Sequence, residues 1–409
     1  HINIIQGFNA MASPAFSVEA ATQAYLATLS GAARAKSDAY FEGGYWLILW
    51  AFVVTVVIML FVLRSGLAAK LSARTLRLTG GRRWLQSILA AIALFLLIAV
   101  LQLPWDLYVS YFREHQYGMS NQSLGEWAGD WVKVAGVNAV LFGLLAAAML
   151  GLYRLTPKAW WAWGAAATAA FLAIVIAVSP VIFDPMFNDY KPMAQSTLRD
   201  QILGMARANG VPADDVMVVD ASRQTKRISA NVAGLGDTMR VALNDNLLNQ
   251  GTPPEVRSVM GHELGHYVLN HIWSMLIYFS LIILGGYLAV NHFVPALLAR
   301  HGKKWGVHDF GDPAVIPVAI LVLSSYFLVM TPVVNTVIRT QEQEADVFGL
   351  NAARAPDGFA KIAMKLSTYR KIEPGKWEEI IFFDHPSGRT RVTTAMQWKA
   401  EHLGEPGVE

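Results

Sequence analysis

The amino-acid sequence predicts a mainly α-helical protein that crosses a membrane several times and carries a small α+β domain outside the bilayer. Three observations predict it. Six separate stretches are long and apolar enough to span a bilayer, and none contains Asp, Glu, Lys or Arg. Of the 409 residues, 54% are hydrophobic and only 15% charged, against about 25% charged in an ordinary soluble domain. Aromatic residues gather at the ends of these stretches, at Tyr45, Trp46, Trp84, Trp160, Trp161 and Trp163, where amphipathic rings suit the headgroup level.

Residues 1–10 precede Met11 and begin with His, so they are set aside as a non-native leader. Residues 13–38 place small and apolar residues at helical spacing and predict an amphipathic helix. The apolar stretches cover 45–63, 84–103, 134–153, 159–178, 272–289 and 314–338. Each has roughly the 20 residues that a helix rising about 1.5 Å per residue needs to cross hydrocarbon. Between the fourth and fifth lies a polar stretch, 179–271, which must lie outside the hydrocarbon. There 196–208 has helical periodicity, and 216–219 and 239–243 are short β-branched runs flanked by turn residues, hence strands. Thr252-Pro253-Pro254-Glu255 announces a helix, with an N-cap, proline in the first turn and a glutamate closing a capping box. The chain thus divides into an N-terminal helix with four spans (11–193), a soluble part (194–271), a transmembrane hairpin (272–338) and a C-terminal region (339–409).

Composition removes several functions. Net charge is +3, from 33 basic and 30 acidic residues, too even a balance for a nucleic-acid surface. With no cysteine there can be no disulfide scaffold, thiol nucleophile or thiolate-bound metal. Any metal must sit on His, Asp or Glu.

The capped helix contains His262-Glu263-Leu264-Gly265-His266. Two histidines four apart project from one helical face and can reach one ion, while Glu263 can meet a water beside it; this is the H-E-x-x-H arrangement of zincins. Catalytic zinc usually takes three protein ligands. A histidine six residues beyond His266 would complete one known pattern, but that position holds Ile272, and His271 comes one residue early. The other source is a carboxylate on a separate helix, and 339–346 offers Glu342 and Glu344. Glu342 and Asp346 share a face, so one can bind metal while the other accepts a hydrogen bond from a ligand imidazole. Glu344 points about 200° away from Glu342, at about 100° per residue, and is expected to be solvated. Two spans separate His266 from Glu342, which returns the chain to the same side of the membrane. The expectation is one Zn²⁺ per chain on His262, His266 and Glu342, with Asp346 behind them and Glu263 as base for peptide hydrolysis.

These residues resemble the type I CAAX prenyl endopeptidases, multi-pass zinc proteases, and their bacterial relatives. The likeness runs from Phe41 onward through Leu103-Pro104-Trp105, Glu114 to Gly118, Asn121-Gln122, Pro185-Met186-Phe187, Lys191-Pro192-Met193, Gly234-Leu235-Gly236, the motif itself, Glu342 with Ala345-Asp346, and His385-Pro386 with Arg391. It implies the same zinc ligands and base, helices enclosing an intramembrane chamber, and a peptide or protein substrate that is prenylated or membrane-embedded. Eukaryotic members trim three residues from isoprenylated proteins; membrane-protein quality control is the other task the resemblance allows. Eukaryotic members have an extra N-terminal span that is not found in this sequence, so six spans are expected in place of seven. The chain also has Ser229 where the family has Asn, with Asn231 two places later, and Gln343 where an aromatic is usual. The resemblance places His385 and Arg391 near the developing oxyanion; the residues alone equally allow a terminal helix opened by His385-Pro386 and a surface Arg391. Residues 229–236 read either as an edge strand that pairs with an extended peptide, through Ser229 and Asn231, or as a plain loop.

His271, His292, His301 and His308 have no ligand spacing and are expected to be interfacial or solvated, Trp160, Trp161 and Trp163 to form a headgroup belt, and Gly285-Gly286 to mark a close helix contact. A transporter or chaperone with a vestigial metal site is the rival reading; spans without ionisable groups and an intact Glu263 argue against it. For orientation, the first loop carries Arg64, Lys70, Arg74, Arg77, Arg82 and Arg83 without an acid, whereas the second carries Asp106, Glu114, Glu126 and Asp130 against Arg113. Lys and Arg stay in the cytoplasm, so charge places the metal domain outside it, whereas the eukaryotic relatives imply the cytosolic face. The membrane is expected to be a bacterial inner membrane, or that of the endoplasmic reticulum in a eukaryote.

Overall fold

The computed structural model describes residues 16–408 except Leu235; the leader assigned to residues 1–10 lies outside the described residues. The amphipathic helix expected over 13–38 is two helices. Val18–Leu26, capped by the Ser17 hydroxyl, ends before Gly31, which takes φ +60° and starts Gly31–Arg64. Glycine adopts that conformation cheaply, and a continuous helix cannot pass through it. The break lets the short helix bury Leu26 against Phe359, Val392 and Ala395, tying the start of the chain to its C-terminal helix, Gly388–Glu401.

Among the described residues six helices are long and apolar enough to cross a membrane: Gly31–Arg64, Arg83–Gln116, Leu124–Leu155, Trp160–Met186, His271–Trp305 and Pro313–Ala353. They run past the apolar stretches because their polar ends are helical too. The second and fourth continue through single π-type turns, Tyr108–Phe112 after Pro104 and Ser179–Phe183 around Pro180, where a missing proline N–H loosens the ordinary ladder. Large apolar side chains such as Val57, Ile277 and Val329 (76% exposed) point outward. That arrangement is costly in water and favourable in lipid. Trp163 is exposed, but Trp160 is buried and donates its indole N–H to Asn291 at 2.8 Å, so it is a packing residue and not part of a headgroup belt. Gly285 does mark a close contact: an added Cβ would stand 3.1 Å from the Tyr326 ring carbon Cζ. Between the third to sixth spans lies an apolar cavity of about 970 Å³, lined among others by Met149, Tyr287 and Phe327.

Outside the spans, four short strands form a mixed sheet. They are β1 (Tyr190–Pro192), β2 (Met217–Val219), β3 (Ala230–Ala233) and β4 (Arg240–Asn244), in the order β1-β2-β4-β3. β2 and β4 are parallel; the outer pairs are antiparallel. β2 and β4 are the two strands the β-branched runs predict. On the sheet lie the helix Thr197–Ala208 and the motif helix Pro253–Val268, burying Ile202, Leu243, Leu247, Val256, Met260 and Leu264 in one core. The capping box is formed, with the Thr252 N–H donating to Glu255 at 2.8 Å.

The motif helix lies directly on the extended end of the sixth span. A Cβ added at Gly349 would stand 2.8 Å from the His262 backbone N, and one at Gly261 would stand 3.1 Å from the Gly349 carbonyl. Backbone thus meets backbone. Gly349→Ala must push the helices apart at a cost of about 1–3 kcal/mol. The detergent-solubilised variant should therefore melt several degrees below wild type, whereas Gly125→Ala, where an added Cβ meets nothing within 4 Å, should not. Equal melting temperatures for wild type and Gly349→Ala would show that the helices have room to spare.

Candidate metal centre and active site

The helix contact brings together the three residues that the spacing singled out. His262 Nε2 and His266 Nε2 stand 3.1 Å apart. Glu342 Oε2 lies 3.2 Å from the first and its Oε1 3.5 Å from the second. Ligand atoms on a tetrahedral zinc, with bonds of about 2.0–2.2 Å, stand about 3.3 Å from one another. The donor set therefore matches by atom type and by spacing. Burial works against a charged His262, but hydrogen bonds to Asp346 and Glu342 outweigh it and carry the ring up to about 10. Burial, together with that neighbouring charge, pushes His266 down to about 4.

Each ring is held from behind. His262 Nδ1 donates to Asp346 Oδ1 at 2.8 Å, which fixes the ring's orientation so that its Nε2 faces Glu342. Asp346 also accepts from Arg391, Nε to Oδ2 at 2.9 Å and Nη2 to Oδ1 at 2.5 Å. Arg391 is therefore no surface charge: it is buried, and its fork is spent on Asp346, though it also forms part of the cavity wall. His385 stands at the same cavity with Nε2 3.3 Å from Glu342 Oε2 and Nδ1 2.8 Å from Asp384. His271, expected to be interfacial or solvated, is instead buried, with Nδ1 2.8 Å from His266 Nδ1 and Nε2 3.0 Å from Glu344. Spacing alone missed it because Asn270 takes the left-handed conformation, φ +58°, and turns the chain back on itself between the motif helix and the fifth span.

These groups open into a cavity of about 780 Å³ whose wall includes Ser229, Ala230, Tyr369 and Arg370. Asn231, the exposed residue of β3, does not line it. Glu263 faces this cavity and makes no hydrogen bond to the described residues. Burial pushes its carboxyl up to about 7, aided by the Glu342 charge and opposed by His262 and Arg391. An unpartnered carboxylate poised near neutrality can take and return a proton. Tyr369 and Arg370 carried no signal in the sequence: they follow no motif, and only tertiary folding brings them here.

Residues 192–399 match the sequence model of peptidase family M48. This chain belongs to peptidase family M48. Its first part, residues 18–189, matches the CAAX prenyl protease N-terminal domain of five membrane helices, and four of the spans found here fall within it. The M48 chain is 29% identical to the uncharacterized metalloprotease YhfN of Bacillus subtilis over 76% of its own length and 74% of the relative's. It is 26% identical to a probable CAAX prenyl protease 1 of Schizosaccharomyces pombe, covering 70% of this chain and 60% of that protein. In fold it is similar to the crystal structure of S. mikatae Ste24p, with TM-score 0.72 at 18% identity, over 92% of this chain and 94% of that one. The M48 chain is a multi-pass integral-membrane metalloendopeptidase. Enzymes of this family depend on zinc in general, and the His-His-Glu group suits that ion.

Arg391→Ala leaves the Asp346 carboxylate buried with one partner fewer, and breaking a buried pair costs about 3–5 kcal/mol. The purified M48 variant should hold less metal and melt lower, and Arg391→Lys should not rescue it, because a point charge cannot make the two parallel bonds. Metal analysis after gel filtration checks this against Arg389→Ala, which removes only part-exposed pairs.

Proposed function

We propose that the chain holds one zinc through His262, His266 and Glu342 and hydrolyses peptide bonds with Glu263 as the general base and acid. The observation that carries the reading is the donor triangle, with edges of 3.1, 3.2 and 3.5 Å, beside an unpartnered Glu263. When bound, zinc supplies a Lewis acid for the scissile carbonyl and acidifies a water molecule. Glu263 takes the proton from that water and returns it to the leaving amine. Asp346, clamped by Arg391, keeps His262 in the tautomer with a free Nε2. His385 stands where it can donate to a developing oxyanion.

Substrate is proposed to lie extended along β3, the free edge of the sheet. The Asn244 N–H bonds the Ser229 carbonyl, so by antiparallel alternation Asn231 and Ala233 also turn their backbone groups to β4. Ala230 and Val232 are left to pair with an incoming peptide, and Ala230 is at the cavity wall. Asn231 then contributes little through its backbone. Several relatives are named CAAX prenyl proteases, which supports C-terminal processing of a prenylated or membrane-held protein; quality control of membrane proteins is the other use of the same chemistry.

Glu263→Gln should keep its zinc and lose about 10²–10⁴-fold in cleavage, whereas Glu342→Ala should lose the metal itself. Elemental analysis, with cleavage of one peptide offered prenylated and unprenylated, reads both. Zinc lost from Glu263→Gln, or near-normal hydrolysis by it, would sink the assignment, and equal cleavage of the two peptides would remove the prenyl requirement.

For orientation, Arg64, Lys70, Arg74, Arg77, Arg82 and Arg83 between and at the ends of the first two spans are all exposed, and the end of the fifth span's helix adds Arg300, Lys303 and Lys304 on the same side. We place that face in the cytoplasm and the metal domain outside it, at the periplasmic surface of a bacterial inner membrane. Because the chain has no thiol, single cysteines at Arg77 and at Asp214 can be labelled in intact cells with an impermeant reagent. Asp214 should react before lysis and Arg77 only after it; the reverse order would reject the charge argument.

A further inference from the structure

We propose that His271 and Glu344 are positioning residues that set the tautomer and orientation of His266 as a metal ligand. The proposal rests on the zinc reading above. The His266 and His271 Nδ1 atoms stand 2.8 Å apart, so one must donate and the other accept. Glu344 decides which. Its ionised carboxylate can only accept, so His271 Nε2, 3.0 Å away, carries a hydrogen. A neutral His271 then has a bare Nδ1, which accepts from His266 Nδ1. The His266 Nε2 lone pair is thereby left facing His262 Nε2 and Glu342. This mirrors the other arm of the site, where Asp346 does the same work on His262 in one step instead of two.

The fold supports the relay on both sides. His271 is 4% exposed, and the left-handed turn at Asn270 aims it back at His266. Ser274 Oγ donates to the His271 carbonyl at 3.1 Å and accepts from Gln341 Nε2 at 2.9 Å, so the histidine is anchored to the helix that carries Glu342. Glu342 and Glu344, on nearly opposite sides of that helix, thus serve opposite ends of the imidazole pair. Glu344 is 59% exposed, and water screens its share of the interaction. His271 therefore carries most of the effect.

The full-length protein in detergent, stripped and reloaded, gives two readouts: zinc affinity by competition with a chelator, and the ligand-field bands of the Co²⁺-loaded form, which report ligand geometry. His271→Ala should weaken zinc binding by about 10–100-fold and shift the cobalt bands. His271→Asn, whose carbonyl can accept the same hydrogen, should recover most of both. Glu344→Ala should weaken binding by less, and Glu344→Gln should match wild type. His271→Ala with wild-type affinity and unshifted bands overturns the proposal, as does His271→Asn no better than His271→Ala when both melt like wild type. Should His271→Ala not fold, Glu344→Ala decides, and no change in either readout rejects the relay. Failure of the wild-type protein to take up zinc would instead strike the zinc reading beneath it.

Discussion

Backbone contact between the motif helix and the end of the sixth span is the constraint on which the rest of the site depends. Packed helices usually keep their axes about 8–10 Å apart, the distance set by the side chains between them. A donor triangle with edges of 3.1, 3.2 and 3.5 Å across two helices leaves little room for such side chains. Gly261 and Gly349 remove them, and Gly265 lets Phe348 settle within 3.0 Å of where its Cβ would stand. Glu342 then sits about two turns before Gly349 on one continuous helix, so its height over the two histidines is fixed by the crossing and not by a flexible loop.

Having been brought so close, the charges must be made bearable. Burying a carboxylate without a partner is expensive, and burying it with a well-placed cation far less so. Glu342 has His262, His266 and His385 around it, and Asp346 has His262 and Arg391. Arg391 comes from the C-terminal helix, which is itself held by Val18–Leu26. The two ends of the described chain thus brace the back of the centre. Glu263 is the exception: it is enclosed by the same wall but makes no hydrogen bond to the described residues. A fold that satisfies the other site carboxylates and leaves this one open keeps it available for a molecule that comes and goes.

Much of this was legible in the sequence, for a physical reason. Spans are long runs of one character, and a helix that repeats every 3.6 residues puts His262 with His266, and Glu342 with Asp346, on common faces. Local rules reached those four residues and the strands β2 and β4. They failed where the backbone leaves its regular path. Gly31 broke a predicted helix in two, Asn270 brought in a histidine that ligand spacing had dismissed, and π-type turns carried the second and fourth spans past their apolar limits. They failed again where two distant segments meet. The partner of Arg391 is a carboxylate 45 residues away in the chain, and nothing near either residue announces the other. The expectation for Glu344 shows both sides: its angle from Glu342 and its exposure to solvent were right, but its contact with His271 was not foreseen, because that histidine had been placed elsewhere.

The three residues of the His-His-Glu group are also divided by the membrane hairpin, and that division ties the site to the bilayer. The motif helix ends at Val268 and the fifth span begins at His271; the sixth returns without interruption into the residues that carry Glu342 and Asp346. The relative height of the histidines and of the glutamate is thus set by two helices whose outward side chains are apolar and whose position along the membrane normal is set by lipid. A soluble domain on a tether would keep its geometry in any surroundings. Here a shift of either span moves part of the donor group, because only the tight turn at Leu269-Asn270 stands between the fifth span and the motif helix and nothing interrupts the sixth.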